Sequence, residues 1–164
     1  MKWRLEKIAQ LSGNKASVYS IVIDDENETL FEKFLSENKT IFKSEISDIV
    51  QRLRTIGFKT GAREIYFKKD EGTLGDGVCA LYDNPHSNLR LYCIRYGTQI
   101  VVLGGGGHKP KTIRAFQESD KLKQENYLLR KISKEITTLL KEHEMEISAD
   151  GLNFEGLLEY NEED

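Results

Sequence analysis

Residues 89–108 have the sequence LRLYCIRYGTQIVVLGGGGH, in which two apolar runs are separated by a short polar break. The first run, 89–96, and the second, 99–103, are rich in β-branched, aromatic and other apolar side chains, as β-strands usually are. Only Gly97 and Thr98 separate the runs, and such a short connection favours antiparallel pairing. The pattern therefore predicts two neighbouring strands of an antiparallel sheet.

The segments on either side predict the rest of an α+β domain. Strand-like runs also occupy 18–23, 63–68 and 78–82, and turn-forming residues separate the later ones. Apolar residues at spacings of three and four predict two helices after the first of these runs, joined as a hairpin, and a third helix at 119–144. We therefore expect an antiparallel-rich sheet of four to five strands, with an N-terminal helical hairpin and a C-terminal helix packed on one face.

Length and composition favour a single domain that has no membrane contact. The chain has 164 residues, which is enough for one ordinary domain and few for two. No apolar run approaches the roughly 20 residues of a membrane helix, and the first residues do not resemble a signal peptide. The only cysteines, Cys79 and Cys93, lie in apolar strand-like runs, which predicts buried, reduced thiols rather than a zinc site. We expect a cytoplasmic protein.

Charge is distributed unevenly along the chain. The whole sequence has 24 basic and 27 acidic residues, for a net charge of −3. Nine of the acids lie in 142–164, which has no Lys or Arg, so 1–141 contains all 24 basic residues against 18 acids. Within this body, 89–114 contains no acid. A basic body with an acidic end is typical of a protein that binds a polyanion, and it is equally consistent with a merely solvated acidic terminus.

The acidic end also suggests where the domain stops. We expect 1–146 to form the domain and 147–164 to form an acidic C-terminal extension. One hypothesis is that this extension folds back over the basic face of the same chain and competes there with RNA, through exposed ion pairs that salt would screen.

Part of the chain resembles a family of small bacterial toxins. In this part a strand with an arginine is followed by a tight turn, a second strand and a lysine-rich loop, as in the RelE/ParE superfamily and particularly its phage-derived HigB-like branch. The order of elements over 18–140 is similar as well. The four successive glycines, the longer termini and the acidic tail depart from the family pattern. The matching stretches are Gly75-Asp76-Gly77-Val78, LRLYCIRY at 89–96, IVVL at 100–103 and His108-Lys109-Pro110-Lys111-Thr112.

The resemblance implies the toxin component of a type II toxin–antitoxin system. Members of this family include mRNA endoribonucleases that use no metal ion or other cofactor. The implied partners are RNA or the ribosome, together with a small cognate antitoxin protein. Other members inhibit DNA gyrase without catalysis. A non-catalytic inhibitor or binding module of the same fold, or a descendant that has lost its toxicity, therefore stays open.

The family's chemistry requires a base near the ribose 2′-hydroxyl, cations around the phosphate and an acid for the leaving oxygen. Carried onto this chain, the resemblance makes Arg90 the phosphate clamp and His108 the acid or base. Lys109 and Lys111 complete the implied catalytic set. No metal site is expected. The implied RNA-binding residues are Arg63, Arg95, Arg114, Tyr92 and Tyr96.

Each of these residues also has a structural interpretation. Arg90 could form an ion pair on the strand surface, His108 and the two lysines could be ordinary loop residues, and the tyrosines could pack instead of stacking on bases. The glycine run at 104–107 lacks the Gly-Lys-Ser/Thr of a phosphate loop. It predicts either a close approach of backbone or a nest of N–H groups for an anion.

Overall fold

The chain begins with two strands. In the computed structural model, which describes residues 1–68, 77–81, 83–84, 86–109 and 119–162, β1 (Lys2–Lys7) and β2 (Ser17–Ile23) form an antiparallel hairpin. Strand β1 alternates between apolar and charged residues, so Trp3 and Leu5 are buried while Lys2 and Glu6 are exposed. The predicted N-terminal helical hairpin is therefore wrong, because a β-hairpin forms the start of the domain.

The helices are α1 (Leu30–Asn38), α2 (Lys43–Thr55) and α3 (Asp120–Lys141). Helix α1 begins with a capping box, in which the Thr29 hydroxyl accepts a hydrogen bond from the backbone N–H of Glu32 and the Glu32 carboxylate accepts one from Thr29. None of the helices in the described ranges is both long and apolar enough to span a bilayer.

Seven strands follow β1 and β2 in the described residues: β3 (Phe67–Lys68), β4 (Val78–Leu81), β5 (Leu89–Tyr96), β6 (Ile100–His108), β7 (Met145–Ile147), β8 (Phe154–Gly156) and β9 (Glu159–Asn161). Together the described strands form a seven-stranded mixed sheet and a separate two-stranded pair. Along the large sheet the order is β3-β4-β5-β6-β2-β1-β9, whereas β7 and β8 pair only with each other. Strands β2 and β6 are parallel, and the other neighbours in both sheets are antiparallel.

The domain is α+β, but the predicted sheet of four to five strands, and with it the RelE/ParE-like fold description, is wrong. The antiparallel pairing of β4, β5 and β6 is present, as the short connections indicated. The additional width comes from β1 and β9, which pair across almost the whole length of the chain, with Trp3 opposite Tyr160. Short, charged strands such as these are difficult to predict from their own sequence, because their stability comes from pairing and packing with neighbouring strands.

Helices cover both faces of the sheet. Consecutive residues of β6 point to opposite sides, so Val101 packs in the core under α1 and α2 while Val102 packs in the core under α3. Phe34 and Leu53 belong to the first core, and Leu129 belongs to the second. The expectation that the helices pack on one face is therefore wrong. A central strand that is apolar on both sides requires cover on both sides.

The glycine run in β6 allows its neighbours to approach closely. The register between β5 and β6 shifts between Leu91 and Cys93, which marks a bulge. A Cβ atom on Gly106 would lie 1.9 Å from the carbonyl oxygen of Arg90, and one on Gly104 would lie 2.8 Å from the Leu129 side chain. The predicted close approach of backbone is thus present, and it brings β5 and α3 together around the end of β6.

Candidate nucleic-acid interface

Cationic side chains meet at one buried carboxylate, that of Asp83. Asp83 Oδ1 lies 2.5 Å from Lys68 Nζ, and Oδ2 lies 3.0 Å from Lys109 Nζ. Arg90 Nε lies 3.5 Å from the same Oδ2 atom. The side chain of Asp83 is 5% exposed, that of Arg90 is 9% exposed and that of Lys109 is 6% exposed. We call these four residues the Asp83 cluster.

The sheet positions the members of the Asp83 cluster. Lys68 is the last residue of β3, Arg90 is the second residue of β5, and Lys109 follows the last residue of β6. Lys109 is also held by its backbone N–H, which donates to the Asn88 carbonyl at 2.8 Å, and by its Nζ, which donates to the Asn84 carbonyl at 2.9 Å. Residues that are distant in sequence therefore converge where these strands end or begin.

The charge of Asp83 depends on this convergence. Burial alone raises the pKa of the Asp83 carboxyl, because a buried carboxylate loses its hydration. The contacts with Lys68 and Lys109 and the charge of Arg90 outweigh burial, so the pKa is below its ordinary value. Asp83 is consequently ionised at neutral pH and acts as the counter-ion of the cations around it.

His108 is the exposed member of this region. It is the last residue of β6 and precedes Lys109, and its ring stacks on Phe42 with a centroid distance of 5.4 Å and an interplanar angle of 15°. Phe42 is the N-cap residue of α2, so the helix start fixes the plane of the imidazole. An exposed imidazole is able to exchange protons with a bound ligand.

A cleft of about 230 Å³ opens beside Asp83. Its wall on the side of α2 includes Glu45 and Asp48, which already have partners: Glu45 accepts hydrogen bonds from the backbone and side chain of Asn88, and Asp48 pairs with Arg52 at 3.2 Å. Asp83 is the cleft residue that belongs to the cluster. The lining residues are Glu45, Asp48, Ile49, Arg52, Asp83, Asn84, Ser87 and Leu89.

Of the predicted catalytic residues, the structure brings Arg90 and Lys109 together at Asp83, whereas His108 precedes Lys109 in the chain and its ring packs on Phe42. The predicted surface ion pair of Arg90 is instead a buried one. Lys109 is buried rather than part of a solvated loop. Lys111 and the predicted RNA-binding residue Arg114 lie outside the described residues.

The other predicted RNA-binding residues lie away from the cluster. Arg63 is exposed and precedes a short 3₁₀ turn. Arg95, near the opposite end of β5 from Arg90, donates from Nε to the Ala62 carbonyl at 2.6 Å and lies over the Phe67 ring. These contacts give Arg95 a packing role.

The two predicted tyrosines belong to the core under α3. Tyr92 is fully buried, and Tyr96 packs edge-on against Phe154 at a centroid distance of 5.3 Å. Burial raises the pKa of Tyr96 well above its ordinary value. Both rings are occupied by packing, so neither is placed to stack on a base.

Sequence patterns did not identify three residues of this region: Asp83, Lys68 and Phe42. In the sequence, Asp83 lies in a turn-forming segment, Lys68 ends a strand-like run and Phe42 lies in the apolar repeat of a helix, and none of these patterns by itself indicates a site. The available signal was the position of Asp83 immediately after an apolar run, where a strand end places polar side chains beside those of neighbouring strands.

The described part of the acidic end does not cover the Asp83 cluster. Strand β9 adds to the edge of β1, with β6, β2 and β1 between it and β5. Beyond β9, the Glu162 carboxylate lies 2.7 Å from Lys131 of α3 and 2.9 Å from the N-terminal amine. These two cations lower the pKa of Glu162 to about 2. The hypothesis that the extension folds over the basic strand surface is therefore wrong for 147–162.

No metal centre is present among the residues that the structure describes, because nowhere do three or more His, Cys, Asp or Glu side chains come together as ligands. Cys79 and Cys93 are free, buried and opposite each other on β4 and β5, with their Sγ atoms 3.7 Å apart. Burial raises the pKa of Cys93 well above its ordinary value, so this thiol is a poor nucleophile.

Comparison with known proteins does not assign a family or a function to this chain. No protein-family model, curated protein or solved structure matches this chain.

Proposed function

We propose that this chain is the toxin component of a type II toxin–antitoxin system and cleaves mRNA without a metal ion, in the cytoplasm, on free or ribosome-bound RNA. One observation carries the proposal: cations from three separate segments converge on Asp83, and the exposed residue His108 immediately precedes one of them, Lys109, in the chain. The resemblance of 75–112 to RelE/ParE toxins supports the same function and implies a small antitoxin as the cognate partner.

In this proposal the Asp83 cluster binds the phosphate and His108 transfers the proton. A phosphate oxygen makes the same charge-assisted contacts with an ammonium or guanidinium group as the Asp83 carboxylate does. Arg90 and Lys109 stabilise the charge that develops on the phosphate, and Asp83 holds these cations in place before RNA binds. His108 exchanges a proton with the 2′-hydroxyl or with the leaving 5′-oxygen.

A second function is favoured by the burial of Arg90 and Lys109. Buried cations that pair with a carboxylate can also have a purely structural role, in which they hold the ends of neighbouring strands together. On this view the chain is a non-catalytic inhibitor or binding module, of the kind that acts on gyrase, or a descendant without toxicity. The two functions differ in their dependence on His108, because only cleavage requires a proton-transfer group.

Substitution of His108 tests the proposal. We expect tightly controlled induction of the wild type to arrest growth of a bacterial host, with cleavage of reporter mRNA detected by primer extension. Purified His108→Gln is expected to cleave RNA about 10²-fold more slowly in the presence of a chelator, and to relieve arrest, because general acid–base catalysis contributes about that factor or more. His86→Gln is the matched control, since His86 is also exposed but lies in the turn before β5.

The outcomes separate the two functions. Arrest and cleavage by both the wild type and His86→Gln, but not by His108→Gln, would support the endoribonuclease. Arrest by all three proteins without RNA cleavage would favour the binding module. Normal growth with soluble wild-type protein would contradict the endoribonuclease and the growth-inhibiting binding module, and would favour a descendant without toxicity.

A further inference from the structure

The exposed side of α3 forms a continuous cationic surface. At 100° per residue, the side chains of Lys123, Arg130, Lys134 and Lys141 project within about 40° of one another around the helix axis, and Lys131 is adjacent. Of the acids between Lys123 and Lys141, Glu125 lies on the opposite side of the helix and Glu135 lies at the margin of the face, beside Lys131. The surface is about 27 Å long, from a rise of about 1.5 Å per residue. We call these five residues, together with Tyr127, the α3 basic face.

Tyr127 gives this face an aromatic platform. Its side chain is among the exposed large hydrophobic groups of the domain, at 53% exposure, although it lies in the middle of a helix whose opposite side is packed in the core. The Arg130 guanidinium lies 5.4 Å from the centre of its ring. An exposed ring next to a planar cation is a suitable surface for stacking an unpaired base, whereas the bases of a duplex are already stacked on one another.

The face already attracts an anionic group. Lys131 binds the Glu162 carboxylate of the acidic end at 2.7 Å, so one acid of this chain occupies part of the face. At the other end of the helix, Lys121 projects from the side of α3 opposite Lys123, and its Cγ lies 3.1 Å from the position of a Cβ atom on Gly107, the register partner of Arg90. The start of α3 therefore packs on the part of the sheet that contains Arg90.

We propose that the α3 basic face binds single-stranded RNA that flanks the nucleotide held at the Asp83 cluster. The lysines contact successive phosphates, and Tyr127 stacks on a base. This inference rests on the proposed function for the identity of the polyanion. It extends that function by naming the conformation of the substrate, an unpaired strand, and a second surface on which it is held.

The binding test uses a probe that cannot be cleaved through its 2′-hydroxyl. A fluorescent 2′-O-methyl oligouridine of 12 nucleotides is titrated with full-length protein, and anisotropy gives the Kd at several salt concentrations. We expect the combined variant Lys123→Ala, Lys134→Ala and Lys141→Ala to weaken binding at least about tenfold at 50 mM salt. Its plot of log K against log salt should be flatter by about 2, because each lost phosphate contact removes about 0.7.

Two further variants make the result specific. Tyr127→Ala should weaken binding at least about fivefold with an unchanged salt slope, since it removes stacking without removing charge. The matched control is Lys15→Ala with Lys39→Ala and Lys59→Ala, which removes the same charge from three exposed lysines outside α3. This control should bind nearly as tightly as the wild type.

The inference and the proposed function fail in different experiments. Equal losses of affinity in the α3 variant and the lysine control would show attraction to net charge alone and would overturn the inference. An absence of binding by the wild type, or a duplex competitor that displaces the probe as well as the single strand does, would overturn it too. None of these binding results would change the test of the proposed function. That test measures the loss of RNA cleavage in His108→Gln, which depends on proton transfer, and the α3 basic face transfers no proton.

Discussion

Asp83 has the strongest electrostatic role of any single residue in the proposed site. Lys68, Arg90 and Lys109 come from different parts of the sheet, and their charged groups lie between 2.5 and 3.5 Å from its carboxylate. The attraction of a buried cation to its partner compensates for the hydration that the cation has lost, and removal of the partner leaves that loss uncompensated. A carboxylate that pairs with several buried cations therefore contributes more to stability than an exposed ion pair does. Asp83 therefore links the stability of the strand ends to the geometry of the cations.

Removal of this charge should destabilise the domain markedly. We expect Asp83→Asn to lower the free energy of unfolding by about 3 kcal/mol or more at pH 7, because it leaves buried cations around a neutral amide. Asp48→Asn, which breaks an exposed pair with Arg52, should change it by less than about 1 kcal/mol. Urea unfolding of the three proteins provides the comparison, and equal stability of wild type and Asp83→Asn would refute the role of the carboxylate.

The same group predicts a dependence of stability on pH. The pKa of Asp83 is lower in the folded protein than its ordinary value of 3.8, so the folded state favours the ionised carboxyl. Its contribution is complete above the ordinary pKa and is lost as the pH falls through the lower folded value. The difference in stability between wild type and Asp83→Asn should therefore shrink as the pH is lowered below about 4.

The two halves of β6 differ in composition and have different structural roles. Its first half, 100–103, is buried on both faces and supplies the centre of the sheet, whereas the glycines of its second half allow β5 and α3 to approach. The strand ends at His108, and Lys109 follows it. The position of the candidate site therefore depends on the close packing of the glycines that precede His108 in β6. The bulge between Leu91 and Cys93 adjusts the register over which this occurs.

A methyl group at Gly106 should not be tolerated. The added Cβ atom would lie 1.9 Å from the Arg90 carbonyl oxygen, which is backbone and cannot move independently of β5. We expect Gly106→Ala to destabilise the domain by about 3 kcal/mol or to prevent folding. Gly107→Ala is the matched control, since the closest atom there is Cγ of the flexible Lys121 side chain, and it should change stability by less than about 1 kcal/mol because the lower chain entropy of alanine offsets a small shift of that side chain. Equal thermal stability of the two variants would contradict this account of the glycine run.

The two ends of the chain meet at one edge of the molecule. Strand β9 pairs with β1, Trp3 stacks on Tyr160 at a centroid distance of 5.8 Å, and Glu162 binds the N-terminal amine. Trp3 is 1% exposed, and its indole N–H donates to Glu135 of α3 at 2.9 Å. The acidic end is thus part of the packed structure at this edge, where it also reaches the α3 basic face.

The single tryptophan reports on this closure. We expect Tyr160→Ala to shift Trp3 fluorescence to longer wavelength and to lower the free energy of unfolding by about 1–2 kcal/mol, through the loss of ring stacking and apolar burial. Tyr127→Ala, which removes an exposed ring from the outer side of α3, should leave the emission unchanged and alter stability by less than about 0.5 kcal/mol. If Tyr160→Ala had the emission and unfolding midpoint of the wild type, β9 would not hold the edge of the sheet closed.

Local sequence patterns predicted the elements whose signals lie within a few residues of one another. The run at 89–96 corresponds to β5, and the apolar repeat at 119–144 corresponds to α3 at Asp120–Lys141. Among the candidate site residues, the resemblance identified Arg90 and Lys109, which meet at Asp83, and His108, which precedes Lys109 in the chain. It could not identify Asp83 or Lys68, because a buried ion pair between different strands has no periodic signature in either strand.

By itself, the sequence determined the local conformations of most helices and central strands, since side-chain periodicity and turn residues act over a few positions. The tertiary structure alone decided which strands became neighbours, which face each helix covered, and which charges were buried together. Those outcomes depend on contacts such as Trp3 with Tyr160 and Asp83 with Lys109, where the free energy comes from burying groups that are far apart along the chain.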